Sequence, residues 1–182
     1  MFDSSVPEER VFNQMKDFAA NVAEGLSIDD KEYQIGLMRY SSNADEIAQL
    51  NGLPKKNDVV REIKQIAYRP GESNLDDAID DVRQNMFTDR NGDRDFARNL
   101  IVLFTGVDQS ANPYEAFRAA EKAERDQINL YTVGFYVNDT FEIDEVSTHP
   151  LSTYRYLVNR NRDLNKVPTD LVKSSTYGFY YL

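Results

Sequence analysis

Eight residues in the middle of the chain, Asn99-Leu100-Ile101-Val102-Leu103-Phe104-Thr105-Gly106, constrain the fold more than any others. The apolar run from Leu100 to Phe104 lacks the polar alternation of a half-exposed strand, and it is bounded by charge before and by glycine after. A short continuous run of this kind reads as the central buried strand of an α/β sheet covered on both faces. The loop that leaves its C-terminal end, Thr105 to Ser110, then lies where open parallel sheets place their ligand sites.

The rest of the chain supplies what such a strand needs. Its 182 residues, 41% of them hydrophobic, are enough for one well-buried core and too few for two, so residues 1–182 are read as a single domain. A formal net charge of -10 works against binding a phosphate backbone, which needs a clustered basic patch, and nucleic acid is excluded as a partner. Without cysteines there are neither disulfides nor thiolate metal sites. No apolar run approaches the roughly 20 residues of a membrane span, and no signal-peptide pattern opens the chain. The numbering is therefore read as starting inside a larger precursor.

Helical and strand periods alternate along the chain. Pro7-Glu8-Glu9 resembles a helix start, and Val11, Phe12, Met15, Phe18, Ala19, Val22 and Leu26 keep helical spacing. Tyr33 to Tyr40 is strand-like, and Ser41-Ser42-Asn43 turns it into a second strand near Glu46 to Leu50, an edge hairpin. Asn57 or Asp58 is placed to cap a helix carrying Val59, Val60, Ile63 and Ile66, and Ser73-Asn74 to open one from Leu75 to about Met86. After the central strand, Asn112-Pro113 starts an alanine-rich helix that leads into a strand from Asn129 to Tyr136. A short helix near Phe141 to Thr148, a strand near Tyr154 to Val158 and a helix from about Leu164 to Lys173 complete the alternation. The fold class is α/β: three layers, a mostly parallel sheet with one antiparallel edge hairpin, and helices on both faces.

Six segments, in order, resemble the von Willebrand factor A domain family over nearly the whole chain. Phe2-Asp3-Ser4-Ser5 is similar to its Asp-x-Ser-x-Ser turn, and Tyr33 to Ser42 to its second strand. Gly71-Glu72-Ser73-Asn74-Leu75-Asp76-Asp77-Ala78-Ile79 is similar to the loop and helix that carry its metal-site Thr, and Leu100 to Gly106 to its fourth strand. Ile128 to Phe135 resembles the fifth strand, and Val146 through Leu164 the closing segment.

Members of that family often bind Mg²⁺ or Mn²⁺ through these loops, since a small hard cation takes oxygen ligands from short Asp, Ser and Thr side chains. The resemblance implies Asp3, Ser5 and Ser73 as metal ligands. It also meets two departures: Pro7 stands where a second Ser is expected, and Gly106 where the fourth-strand Asp is expected. Asp108 is the nearest carboxylate that can replace the latter. On residue type alone, Asp3, Ser5 and Ser73 also suit helix caps, and a weak or absent metal is the expected state. The surrounding loop residues Ser4, Glu72, Asn74, Gly106 and Gln109 form the implied ligand-binding surface.

Other motifs carry less. Asp89 to Asp95 has oxygen residues at alternate positions but lacks the glycine and the distant glutamate of a calcium loop, and it reads as a solvated loop. His149 is the single histidine, and no Gly-x-Ser-x-Gly elbow accompanies it, so no nucleophile and base pair can be named. Dinucleotide and Walker fingerprints are absent. Asn138-Asp139-Thr140 matches a glycosylation acceptor, which matters if the chain is secreted.

The expected function is a non-catalytic interaction and adhesion module of a secreted or extracellular-matrix protein, with matrix proteins or copies of itself as partners. The alternatives are a divalent-metal-dependent receptor and, third, an enzyme with an unrecognised site. One more expectation concerns the family's first strand, for which only Met1 and Phe2 remain before Asp3. The aromatic tail Thr176 to Leu182 reads as a replacement for it, supplied within the chain or by a neighbour. The alternative is that the tail belongs to the next copy in a tandem array.

Overall fold

The central run forms strand β4, Asn99–Thr105, and Leu103 within it is fully buried. The computed structural model describes residues 1–29 and 31–165; the last predicted helix with Pro168, and the tail from Thr176, lie outside the described residues. Around β4 stand β1 (Phe2–Asp3), β2 (Leu37–Tyr40), β3 (Ala44–Ala48), β5 (Ile128–Phe135) and β6 (Arg155–Val158), in the spatial order β3-β2-β1-β4-β5-β6. Every pairing is parallel except that of β2 with β3, the expected edge hairpin. The longest ladder joins β4 to β5, from Asn99 opposite Ile128 to Thr105 opposite Gly134.

Two apolar cores flank this sheet. On one side α1 (Glu9–Glu24) buries Phe12, Met15 and Phe18 and packs beside α2 (Lys56–Gln65). On the other side α3 (Leu75–Asp81), which continues as a π-helical turn Val82–Met86, packs against α4 (Pro113–Arg125). Ala116, Ala119, Ala120 and Ala123 of α4 are all buried, because residues this small let the helix backbone lie close to the sheet. A short α5 (Phe141–Val146) follows β5.

Three local expectations are corrected. Strand β2 starts at Leu37 rather than Tyr33, the level at which its ladder with β3 ends opposite Ala48. Helix α2 starts at Lys56, and neither Asn57 nor Asp58 caps it; the Lys56 N–H donates to Asp29 Oδ1 at 2.9 Å, a cap reached across sequence. Asn74 and Asn112 hold the N-cap positions of α3 and α4 without a side-chain bond to the helix.

Candidate functional site

The parallel register that sets Phe2 beside Phe104 brings the next residues, Asp3 and Thr105, together at the C-terminal ends of β1 and β4. Asp3 is completely buried. Its Oδ1 accepts from the Ser5 backbone N–H at 2.9 Å and from Ser5 Oγ at 2.5 Å. Its Oδ2 accepts from Thr105 Oγ1 at 2.7 Å and from Ser73 Oγ at 3.2 Å. The loop carrying Ser73 is tied down on both sides, by the Asn74 N–H to Ser41 O at 3.1 Å and by the Ala111 N–H to Ser73 O at 2.8 Å. Three hydroxyls from three segments therefore converge on one carboxylate.

Burial pushes the Asp3 carboxyl above its ordinary range, and the bonds from Ser5 and Thr105 offset part of that rise. The Tyr40 hydroxyl is buried against the same cluster without a well-aligned hydrogen bond. Burial, reinforced by the Asp3 charge, holds it well above the ordinary phenol value. A second buried acid stands nearby. Glu142 of α5 accepts the Ser110 N–H at 2.5 Å and the Ser110 hydroxyl, and burial raises its carboxyl too.

The structure thus unites Asp3, Ser5 and Ser73, and none of the three serves as a helix cap: α1 begins at Glu9, and Ser73 spends its hydroxyl on Asp3. Asp108 goes elsewhere, accepting the Asn138 N–H at 2.8 Å. Of the expected ligand surface, Glu72 and Gln109 are exposed, and Asn74 and Gly106 are half-buried. Ser4 is corrected. It is fully buried, and its Oγ accepts the Arg69 N–H at 2.6 Å, so it presents nothing to a ligand. Asn138 is exposed on the loop after β5.

Thr105 was missed by sequence reasoning although it closes the central strand. The signal was available: in a parallel sheet, the residue level with a buried strand-end Asp is its natural hydrogen-bond donor.

The donor set does not suit a tightly held divalent ion. It contains one carboxylate, destabilised as an anion by burial, whose two oxygens are both engaged by protein donors. Among the described residues no group of three or more His, Cys, Asp or Glu side chains is gathered for a metal. Affinity for such ions follows ligand charge.

The model of the von Willebrand factor type A domain matches residues 2–170. The chain belongs to that family. Its A-domain relatives include the mouse collagen alpha-4(VI) chain, 26% identical over 80% of this chain, and human matrilin-1, 24% identical over 89%. This chain spans only 6% and 32% of their respective lengths. Among solved A-domain structures, proximal thread matrix protein 1 from the mussel byssus superposes with a TM-score of 0.79 at 19% identity, over 94% of this chain and 45% of that one. That mussel protein also has a structure with a zinc-occupied metal-ion-dependent adhesion site. In the present A domain, Pro7 and Gly106, the two departures expected from the resemblance, have no side-chain oxygen.

The surface offers a feature the sequence reading passed over. Tyr114 of α4 is 78% exposed and Phe141 of α5 is 55% exposed. Phe117 sits between them, with edge-on ring contacts of 5.9 Å to each. Both outer residues fall in the first turn of their helices, off the buried stripe, and this displacement is the sequence signal that identifies them.

Proposed function

We propose that this A domain is a non-catalytic protein-interaction module of an extracellular-matrix protein, and that it docks its partner through the ridge of Tyr114, Phe117 and Phe141 without a bridging metal. The ridge carries the reading. Rigid aromatic side chains that stay in water while packed edge to edge supply contact area at little entropic cost, which is the character of interface anchors. The relatives support the setting, since they are collagens and a matrilin, and the fold neighbour is a thread matrix protein. Matrix proteins are the proposed partners.

The second reading, a receptor that engages an acidic ligand through Mg²⁺ or Mn²⁺, is favoured by one observation: Asp3, Ser5 and Ser73 do meet at the strand ends. Adding Asp108 to that set would require breaking its bond to Asn138.

Surface plasmon resonance on immobilised collagen VI separates the two. Under the proposal, Tyr114→Ser with Phe141→Ser weakens binding by about tenfold or more, as loss of central aromatic anchors does, while EDTA leaves the affinity unchanged. Binding abolished by EDTA and by Asp3→Ala, with the aromatic pair indifferent, would establish the metal reading in its place.

A further inference from the structure

Strand β5 ends at Phe135, and the chain leaves the sheet through Tyr136, whose φ of 57° lies in the left-handed region and turns the backbone sharply. The Tyr136 N–H still donates to Val158 O at 2.9 Å, and α5 begins at Phe141. Between them runs a short loop that carries Asn138-Asp139-Thr140, the single Asn-x-Ser/Thr triplet in the chain. Such a triplet is short enough to arise by chance, so the surroundings of its three residues decide what it is.

The two residues after the asparagine are committed to α5. Asp139 Oδ1 accepts the Phe141 N–H at 2.9 Å, serving a helix-start donor that has no partner within the helix. Thr140 Oγ1 donates to Asp144 Oδ2 at 3.0 Å, which joins the N-cap residue to the first turn. Asn138 is different. Its backbone N–H donates to Asp108 Oδ1 at 2.8 Å and so holds the residue beside the loop after β4. Its carboxamide has no hydrogen-bond partner among the described residues, and the residue is exposed. An exposed amide that bonds only to water contributes nothing to the fold, and a substituent on its nitrogen breaks no bond of the folded domain.

We infer that Asn138 is the attachment point of an N-linked glycan. This A domain is extracellular, as its collagen and matrilin relatives are, and such glycans are added on the secretory route to surface loops of this kind. In the transfer, Asn138 Nδ2 attacks C1 of the first sugar of a lipid-linked oligosaccharide diphosphate. The Nδ2–C1 bond forms, the C1–O bond to the diphosphate breaks, the lipid diphosphate leaves with the electron pair, and Nδ2 loses a proton. The transferase reads the hydroxyl of the triplet, which in the folded domain Thr140 donates to Asp144. Transfer therefore precedes the closing of α5. Once attached, the glycan roots beside Asp108, at the end of the sheet that carries Asp3, and surrounds that end with a bulky, hydrated chain. Nothing in this attachment depends on the aromatic ridge, so the two are tested separately.

The full 182-residue chain, secreted from cultured animal cells, provides the test. Peptide N-glycosidase is expected to increase its mobility on a denaturing gel and, in isotopically labelled water, to convert Asn138 to a labelled aspartate found by peptide mass spectrometry. Asn138→Gln and Thr140→Val are each expected to abolish the mobility shift. Thr140→Ser is expected to retain it, since a serine hydroxyl still completes the triplet. Secreted protein with Asn138 unmodified would overturn the proposal. If a Thr140 variant does not fold once its bond to Asp144 is lost, the unsubstituted chain and Asn138→Gln decide. A second measurement concerns the bare carboxamide. In protein made in bacteria, without the glycan, Asn138→Gln is expected to leave Tm unchanged. A clearly lowered Tm would assign the Asn138 side chain a structural role and overturn its assignment as a free attachment point.

Discussion

From the level of Leu103 upward the sheet between β2 and β4 holds Met1, Phe2 and Asp3, all buried; below that level the edges of β2 and β4 border a cavity of about 550 Å³. The two halves place different demands on sequence. The upper half ends in a buried carboxylate, which is tolerable only because Ser5, Ser73 and Thr105 aim hydroxyls at it. Each of those residues is specific in type and position. The lower half is walled mainly by apolar side chains from both faces, with Lys31, Glu32, Asp93, Arg94 and Arg98 also lining it. A buried carboxylate fixes the type of each residue around it, whereas a mainly apolar wall asks only for non-polar volume.

The sharpest way to break this contrast is Phe2→Ala. Phe2 stacks on Phe104 with ring centroids 5.0 Å apart and meets Phe12 edge-on at 6.5 Å. Its loss should cost about 3–5 kcal/mol in denaturant unfolding. A cost below about 1 kcal/mol would mean that the upper half is no more specified than the lower.

Gly106→Asp probes the polar half next. It supplies the carboxylate that the family motif has there, but a Cβ at Gly106 would lie 3.1 Å from Phe135 O and 3.2 Å from both Met15 Cε and Val11 Cγ1. It should therefore destabilise by about 1–3 kcal/mol, as overpacking does, and leave Mg²⁺ affinity unimproved. A clear gain in Mg²⁺ affinity by calorimetric titration would show that the strand-end loops keep a metal-ready geometry.

The smallest effect is one of pH. The folded-state pKa of Glu142 is raised above its ordinary 4.5, chiefly by burial. Between that value and the raised one, the folded protein holds more protons than the unfolded chain. Glu142 therefore makes stability fall as pH rises through this window and level off above it. Glu142→Gln can still accept the Ser110 N–H while donating to Ser110 Oγ. It should flatten that part of the stability profile relative to the unmodified protein, and identical slopes would assign the pH dependence to other groups.

The layered α/β architecture was legible in the residues because it depends on periodicity. The continuous apolar run of β4, the helical spacing in α1 and the alanines of α4 each declare which faces are buried, and burial is the dominant favourable term in folding. Family membership was legible in the order of short motifs. Which hydroxyl meets which carboxylate was decided only by tertiary structure, since Asp3, Ser73 and Thr105 are joined by strand register and loop anchoring across long stretches of chain. Helix caps failed for the same reason: Asn57 and Asp58 had the right chemistry locally, yet Asp29 arrived from another segment and took the Lys56 N–H. Local propensity sets what a residue can do, and packing at a distance selects which partner it does it with.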